Sequence, residues 1–262
     1  MIPPGLAVVT GGSTGIGREF CVQLAARGHD LLVAARDGGR LEALATELQG
    51  RFGIDVEPFP ADLSREDEIE RLAGRITTVS SLSLLVNNAG FGTRGTLLEA
   101  DPERQAQMLR LHSMAPMRLT TVALPLLVGR KGGAVINVSS VASFIYSAGN
   151  ANYCATKAYL TTFTEGIAEE LRGTGVQAQA LCPGFTITEF QQRKGDSTSG
   201  RPGFLWLTAE SVVRASLRSL DRGGPTVCIP GLGYRVLVGL IRHLPRSVLG
   251  KVGAWRRSRQ GA

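Results

Sequence analysis

The sequence predicts a doubly wound α/β fold, with a seven-stranded parallel sheet and helices on both faces in a single domain. Three observations carry this. Short apolar runs alternate with helix-patterned stretches along almost the whole chain, the pattern of successive βαβ units. The first strand–helix junction is glycine-rich, Gly11-Gly12-Ser13-Thr14-Gly15-Ile16-Gly17. The 262 residues, 43% hydrophobic and 19% charged, are enough for one sizeable core, and no linker or internal repeat marks a second domain.

Each element follows from local signals. Leu6–Thr10 reads as the first strand, followed by the glycine turn and a helix to about Arg27 that Gly28 caps. Leu31–Ala35 is the second strand, and a helix runs from about Arg40 to Phe52. Asp55–Pro60 is the third strand, ending in Ala61-Asp62-Leu63. Ser64, with Asp67 three residues on, has the form of an acidic N-terminal cap for a helix to about Thr77. Leu82–Val86 leads into Asn87-Asn88-Ala89-Gly90. Asp101-Pro102 opens one long helix to about Val128, a cap residue followed by proline in the first turn. Ala134–Val138 is the fifth strand, a helix spans Ala151–Arg172, and Val176–Cys182 is the sixth strand. The polar, Gly-rich stretch Gln191–Gly203 reads as a flexible lid. A helix (Ala209–Asp221) and a last strand (Thr226–Pro230) complete the domain, taken as residues 1–232, with 233–262 a basic helical extension.

Composition excludes several classes. The net charge of +7 is concentrated at one end: from Arg222 onward there are eight Lys/Arg and no Asp or Glu. The remainder is close to neutral, so a basic stripe for nucleic acid is not supported. Cys21, Cys154, Cys182 and Cys228 are far apart without Cys-x-x-Cys spacing, which argues against a zinc site or disulfide framework. With no charged n-region or secretory h-region at the start, a cytoplasmic location is expected.

A strand, a glycine turn and a helix N-terminus together form a phosphate site, because free N–H groups and partial positive charge converge where side chains are missing. The spacing is Thr-Gly-x-x-x-Gly-x-Gly, and the competing reading is a turn that needs glycine only for close helix–sheet packing. The second strand ends in Ala34-Ala35-Arg36, where an acid would accept from a ribose 2′-hydroxyl. A small residue followed by arginine suits a 2′-phosphate, so NADP(H) is expected over NAD(H), although Asp37 stands next to Arg36 and could neutralise it.

Tyr153 and Lys157, four residues apart on a helix, lie on one face. An ammonium within ~4–6 Å favours the phenolate and is expected to pull the phenol's pKa toward neutrality. Such a pair can pass a proton to or from a substrate oxygen.

Together these landmarks resemble the short-chain dehydrogenase/reductase family over roughly residues 5–232. The matches run in family order: Thr10–Gly17, Asp62, Asn87–Gly90, Ser140, Tyr153 with Lys157, and Pro183-Gly184 with Thr188. The resemblance implies a Rossmann-like fold and a nicotinamide cofactor. Gly11, Gly15 and Gly17 would line the pyrophosphate with Ser13, Thr14 and Ile16 in the same turn. Asp62, followed by Leu63, would touch the adenine, and Asn88 with Ala89 and Gly90 would flank the ribose. Tyr153 resembles the general acid/base, Lys157 its partner, and Ser140 the serine that holds the substrate oxygen. Ser139 reads as a structural hydroxyl, and Pro183, Gly184 and Thr188 as the nicotinamide-side turn.

One position departs from the family. Asparagine is usual where this chain has His112, in Leu111-His112-Ser113-Met114-Ala115-Pro116. The plainer reading is a polar helix residue without a role. The other starts from Pro116, which has no N–H for the carbonyl of His112. A carbonyl freed there could hold the water that in the family links to the lysine, so the relay would survive through the backbone. His29 and His243 read as structural or solvated.

Phe185, Phe190, Phe204, Leu205 and Trp206 supply apolar surface for a hydrophobic substrate pocket or for ordinary packing. Arg235, Arg242 and Pro245 rule out a membrane-spanning helix after Gly231. Packing of that segment on the pocket or a neighbouring subunit, with its arginines in water, is favoured over contact with an anionic membrane. The expected activity is hydride transfer between NADP(H) and a ketone or secondary alcohol, in a homodimer or homotetramer. The alternative is a catalytically idle NADP(H)-binding sensor or scaffold.

Overall fold

The computed structural model describes residues 2–93, 95–188 and 206–243. In chain order its elements begin with β1 (Leu6–Thr10), α1 (Gly15–Ala25), β2 (Asp30–Ala35), α2 (Gly38–Phe52), β3 (Val56–Pro60) and α3 (Glu66–Thr77). There follow β4 (Leu82–Asn87), α4 (Pro102–Leu109), a π segment (Arg110–Met114), α5 (Ala115–Arg130), β5 (Gly133–Val138) and a 3₁₀ turn (Val141–Phe144). The chain continues with α6 (Ala151–Glu170), β6 (Val176–Leu181), β7 (Thr186–Ile187), β8 (Leu207–Thr208), α7 (Ala209–Asp221), β9 (Val227–Cys228) and α8 (Leu232–His243). Among the described residues the main sheet has seven strands in the order β3-β2-β1-β4-β5-β6-β9, all parallel.

Burial explains why the strands are so apolar. Ala7 and Val9 of β1 face a core closed by α1, α2 and α7, through Phe20, Leu44 and Leu217 among others. Val8 faces the opposite core, closed by Leu72 of α3, Leu119 of α5 and Ile167 of α6. A strand covered on both faces can carry an unbroken apolar run. Each fully buried Leu or Val contributes roughly 1.5–3 kcal/mol. The strand order reverses beside β1, with β2 on one side and β4 on the other. Such a switch point opens a ligand crevice at the carboxyl ends of the strands.

Several local expectations are met. Gly28 takes φ +78°, with Gly28 N–H on Ala25 O at 2.9 Å and His29 N–H on Leu24 O at 3.1 Å, a Schellman end to α1. Asp101 accepts from Glu103 N–H at 3.0 Å with Pro102 in the first turn.

Others are corrected. Ser64 does not cap α3, whose N-cap is Arg65 without a side-chain bond. Ser64 instead gives both its N–H (3.0 Å) and its hydroxyl (2.7 Å) to Asp62 Oδ1, because that carboxylate is two residues away and accepts more strongly than the helix end donates. The helix expected over 101–128 is not uniform. It carries the π segment around His112, where Ala115 N–H reaches back five residues to Arg110 O. The small pair β7/β8 was not foreseen, since two residues leave no periodic pattern. The lid stretch Gln191–Gly203, with Phe190, Phe204 and Leu205, lies outside the described residues.

By length and composition, Pro102–Arg130 is the one helical run among the described residues that could cross a membrane. Its Leu119, Ala123 and Leu127 are wholly buried in this domain.

Candidate active site

The glycine turn sits at the switch point. Gly11 (φ +66°) and Gly15 (φ +56°) occupy the left-handed region that side chains disfavour. A Cβ on Gly11 would stand 2.8 Å from Ala89 Cα, and one on Gly17 would strike the carbonyl of Gly11. A Cβ on Gly12 would strike Val33. Close packing and an open cradle therefore use the same glycines. Thr14 gives α1 no side-chain cap, and its first turn has no acidic residue. The N–H groups and positive end of the helix thus face the crevice, a donor set that fits a dinucleotide pyrophosphate. Across it, Thr188 Cβ and Cγ2 lie 3.2 Å from where a Gly15 side chain would begin, bringing the turn after β6 to the glycine turn.

Asn88 holds this arrangement together instead of reaching outward. Its Nδ2 donates to Thr10 O (2.9 Å) and Gly11 O (3.1 Å). The N–H groups of Asn88 and Ala89 both go to Thr10 Oγ1, at 2.9 and 3.0 Å. The Asn88 amide thus braces the turn. Arg36 is exposed at the end of β2. Asp37, its neighbour, caps α2 through Arg40 N–H (3.0 Å) and pairs with Arg40 Nε (3.4 Å), so it is committed away from Arg36.

On α6, Tyr153 and Lys157 share a face as the spacing implies. Ser140 stands close enough to Tyr153 for its hydroxyl to favour the phenolate, and Ser140 also caps the 3₁₀ turn by accepting Ala142 N–H at 3.1 Å. Lys157 Nζ donates to Val138 O at 2.8 Å and lies 5.9 Å from the Tyr153 ring centre. Ser139 donates to Lys157 O at 2.8 Å, which fits the structural reading of that serine.

The expected acidification of Tyr153 is not found. Burial pushes the phenol up to about 12, with the Ser140 bond opposing. Burial also pulls Lys157 down to about 8. Loss of hydration outweighs the neighbouring ammonium, which is engaged with the Val138 carbonyl. Near neutral pH the pair is a protonated phenol beside a protonated amine, poised to give up a proton.

His112 is not a spectator. It is buried, its Nε2 accepts Phe91 N–H at 3.0 Å, and its Nδ1 lies 3.1 Å from Thr156 Oγ1. Its ring is edge-on to Tyr153, with centres 5.9 Å apart. A Cβ on Gly90 would stand 2.9 Å from Nε2, so that glycine makes room for the imidazole. Burial first, then the charge of Lys157, hold its pKa well below the usual range, and the ring is neutral. His29 is structural, with Nδ1 3.0 Å from Ser83 Oγ, and His243 is exposed at the end of α8.

Sequence reasoning missed Tyr234. Buried on α8, it accepts Phe185 N–H at 3.0 Å. It also packs so closely on Gly184 that a Cβ there would enter the ring. The turn at Gly184 and Phe185 is thus braced from α8. Also unforeseen is a buried polar ladder in which Asn87 Nδ2 donates to Asn137 Oδ1 (2.8 Å) and Asn137 Nδ2 to Thr164 Oγ1 (2.9 Å). It ties β4, β5 and α6 together beneath the site.

A dinucleotide crevice flanked by a serine, a tyrosine and a lysine defines a class, the nicotinamide-dependent oxidoreductases of CH–OH and C=O groups. The chain belongs to the short chain dehydrogenase family, whose model matches residues 5–199. An uncharacterized oxidoreductase of Myxococcus xanthus is 33% identical over 225 residues, covering 86% of this chain and 87% of that one. A short-chain dehydrogenase from Sphingobium yanoikuyae, solved with NADPH, superposes with a TM-score of 0.82 at 31% identity, covering 98% of this chain and 94% of the other. A bulky-bulky ketone specific alcohol dehydrogenase from Comamonas testosteroni gives a TM-score of 0.79 at 27% identity, covering 99% and 93%.

Proposed function

We propose that this protein uses NADPH to reduce the carbonyl of a hydrophobic ketone, and in reverse oxidises the matching secondary alcohol. The observation that carries this is the grouping of Tyr153 with Lys157 Nζ, 5.9 Å from its ring centre on the same face of α6, and with the neighbouring Ser140 hydroxyl. Two neighbouring hydroxyls can together hold a carbonyl oxygen whose negative charge grows in the transition state. The bound nicotinamide supplies the hydride. Tyr153, protonated at neutral pH, gives its proton to that oxygen while Ser140 holds it. Lys157 offsets the phenolate left behind. A phenol whose pKa is pushed to about 12 serves better as acid than as base at neutral pH, which favours reduction.

NADP(H) over NAD(H) is supported by Arg36 standing exposed after β2, with Asp37 turned to Arg40. The NADPH bound to the Sphingobium relative points the same way. A hydrophobic substrate is supported by the Phe185–Trp206 ring pair, with centres 5.7 Å apart beside the nicotinamide-side turn, and by the ketone named for the Comamonas enzyme. Assembly as a homodimer or homotetramer, and a cytoplasmic location, belong to this reading. A screen of ketones from small to bulky, followed by NADPH absorbance, is the test. Turnover of bulky apolar ketones supports the reading. No turnover of any ketone or alcohol, with NADPH still bound, would leave the idle binding protein instead.

A further inference from the structure

We propose that the outer face of α8 is a docking surface for an anionic lipid bilayer. The helix carries its side chains in an unusual order. Tyr234 and Val238 are buried against the domain. The two arginines, though exposed, lean back along the domain: Arg235 Nε donates to Ile229 O at 2.9 Å, and Arg242 lies 3.6 Å from Glu165 and over the ring of Phe144. The opposite side is apolar and open, with Leu232 76%, Val236 55%, Leu237 45% and Leu240 63% exposed. Leu232, Val236 and Leu240 repeat every four residues, so they form one ridge along the helix. A helix facing only water would present its charged side chains there and bury the leucines.

Charge decides the occupant. From Gly223 to the end of the chain there is no Asp or Glu, and the residues after His243 add Arg246, Lys251, Arg256, Arg257 and Arg259. An apolar ridge followed in the sequence by a polybasic segment matches a bilayer, whose acyl boundary takes the leucines and whose anionic headgroups take the cations. A second copy of the chain docked by the same face would bring two such basic segments together without an acid between them, which costs free energy. The inference is independent of which ketone is reduced.

The full chain is sedimented with phosphatidylserine–phosphatidylcholine vesicles and with pure phosphatidylcholine vesicles, and the same is done for Val236→Glu/Leu240→Glu and for Arg256→Gln/Arg257→Gln. The wild type should bind the anionic vesicles, and the α8 variant should bind them about tenfold more weakly or worse, with an unchanged melting temperature. If the glutamates perturb folding, Leu232→Gln/Leu240→Gln gives the same reading with no added charge. No binding to anionic vesicles overturns the proposal. So does an α8 variant that binds as the wild type does while the arginine variant is lost, since the tail alone would then be responsible. A wild-type chain that ignores vesicles but whose assembly is halved by the α8 substitutions would make the face an interface between copies.

Discussion

His112 Nε2 accepts the backbone N–H of Phe91 at 3.0 Å, so a neutral ring must carry its proton on Nδ1, where it donates to Thr156 Oγ1 at 3.1 Å. Thr156 in turn donates to Tyr153 O at 2.9 Å. The imidazole therefore pins the loop after β4 to the helix that bears the acid. An asparagine has a carbonyl and an amide to offer the same two partners, and His112→Asn should keep activity within about tenfold. His112→Leu leaves a buried N–H unsatisfied at a cost of about 1–3 kcal/mol. It should lower kcat and stability together, without adding or removing a step in the pH profile, because the native ring stays neutral. Complete loss of turnover in His112→Asn, with a normal fold, would instead assign chemistry to the imidazole.

The lysine sets the alkaline limit. With Lys157 near 8, ketone reduction should be level below that pH and fall above it as the ammonium is lost. Initial rates between neutral pH and pH 10 check this.

The same group governs stability with the opposite benefit. Its folded-state pKa of about 8 lies below the unfolded value of 10.5, so between those values the unfolded chain binds the extra proton and stability rises with pH. Below about 8 the cost of the buried charge is fully present, on the order of 3 kcal/mol. Lys157→Met should therefore abolish turnover yet raise the urea midpoint at pH 7, with the gain shrinking toward pH 10.

Tyr153→Phe removes the proton donor and leaves the glycine cradle intact. Turnover should drop by about 10²–10⁴-fold or more while NADPH affinity, followed by fluorescence titration, changes little.

Arg36→Asp exchanges a guanidinium for a carboxylate where the adenosine ribose is expected. Hydrogen bonds to a charged group are worth about 1.5–3 kcal/mol, so NADPH affinity should fall about tenfold or more and NADH should become the better cofactor. Equal affinities for the two cofactors in the unsubstituted protein would overturn the NADP(H) reading.

The main sheet was legible because strands buried on both faces must be largely apolar runs, as β1, β2, β4 and β5 are. Tyr153 and Lys157 were legible as a pair because helical spacing puts them together whatever surrounds them. Their protonation was not, since its direction depends on how much water the fold removes, and the enclosure comes from elements distant in the chain. The bracing role of the Asn88 amide was not legible, because nothing in the sequence shows that the carbonyls of Thr10 and Gly11 lie within its reach. Tyr234 was hidden for the same reason, being about fifty residues from the glycine it covers.

That contact joins two ends of the molecule into one thermodynamic unit. Tyr234 braces Gly184 and Phe185 from α8, so any event that pulls the helix off the domain loosens the turn that follows β6. By linkage, a partner that holds the helix down must also steady that turn, and any ligand that grips the turn must strengthen the attachment of the helix to the same degree.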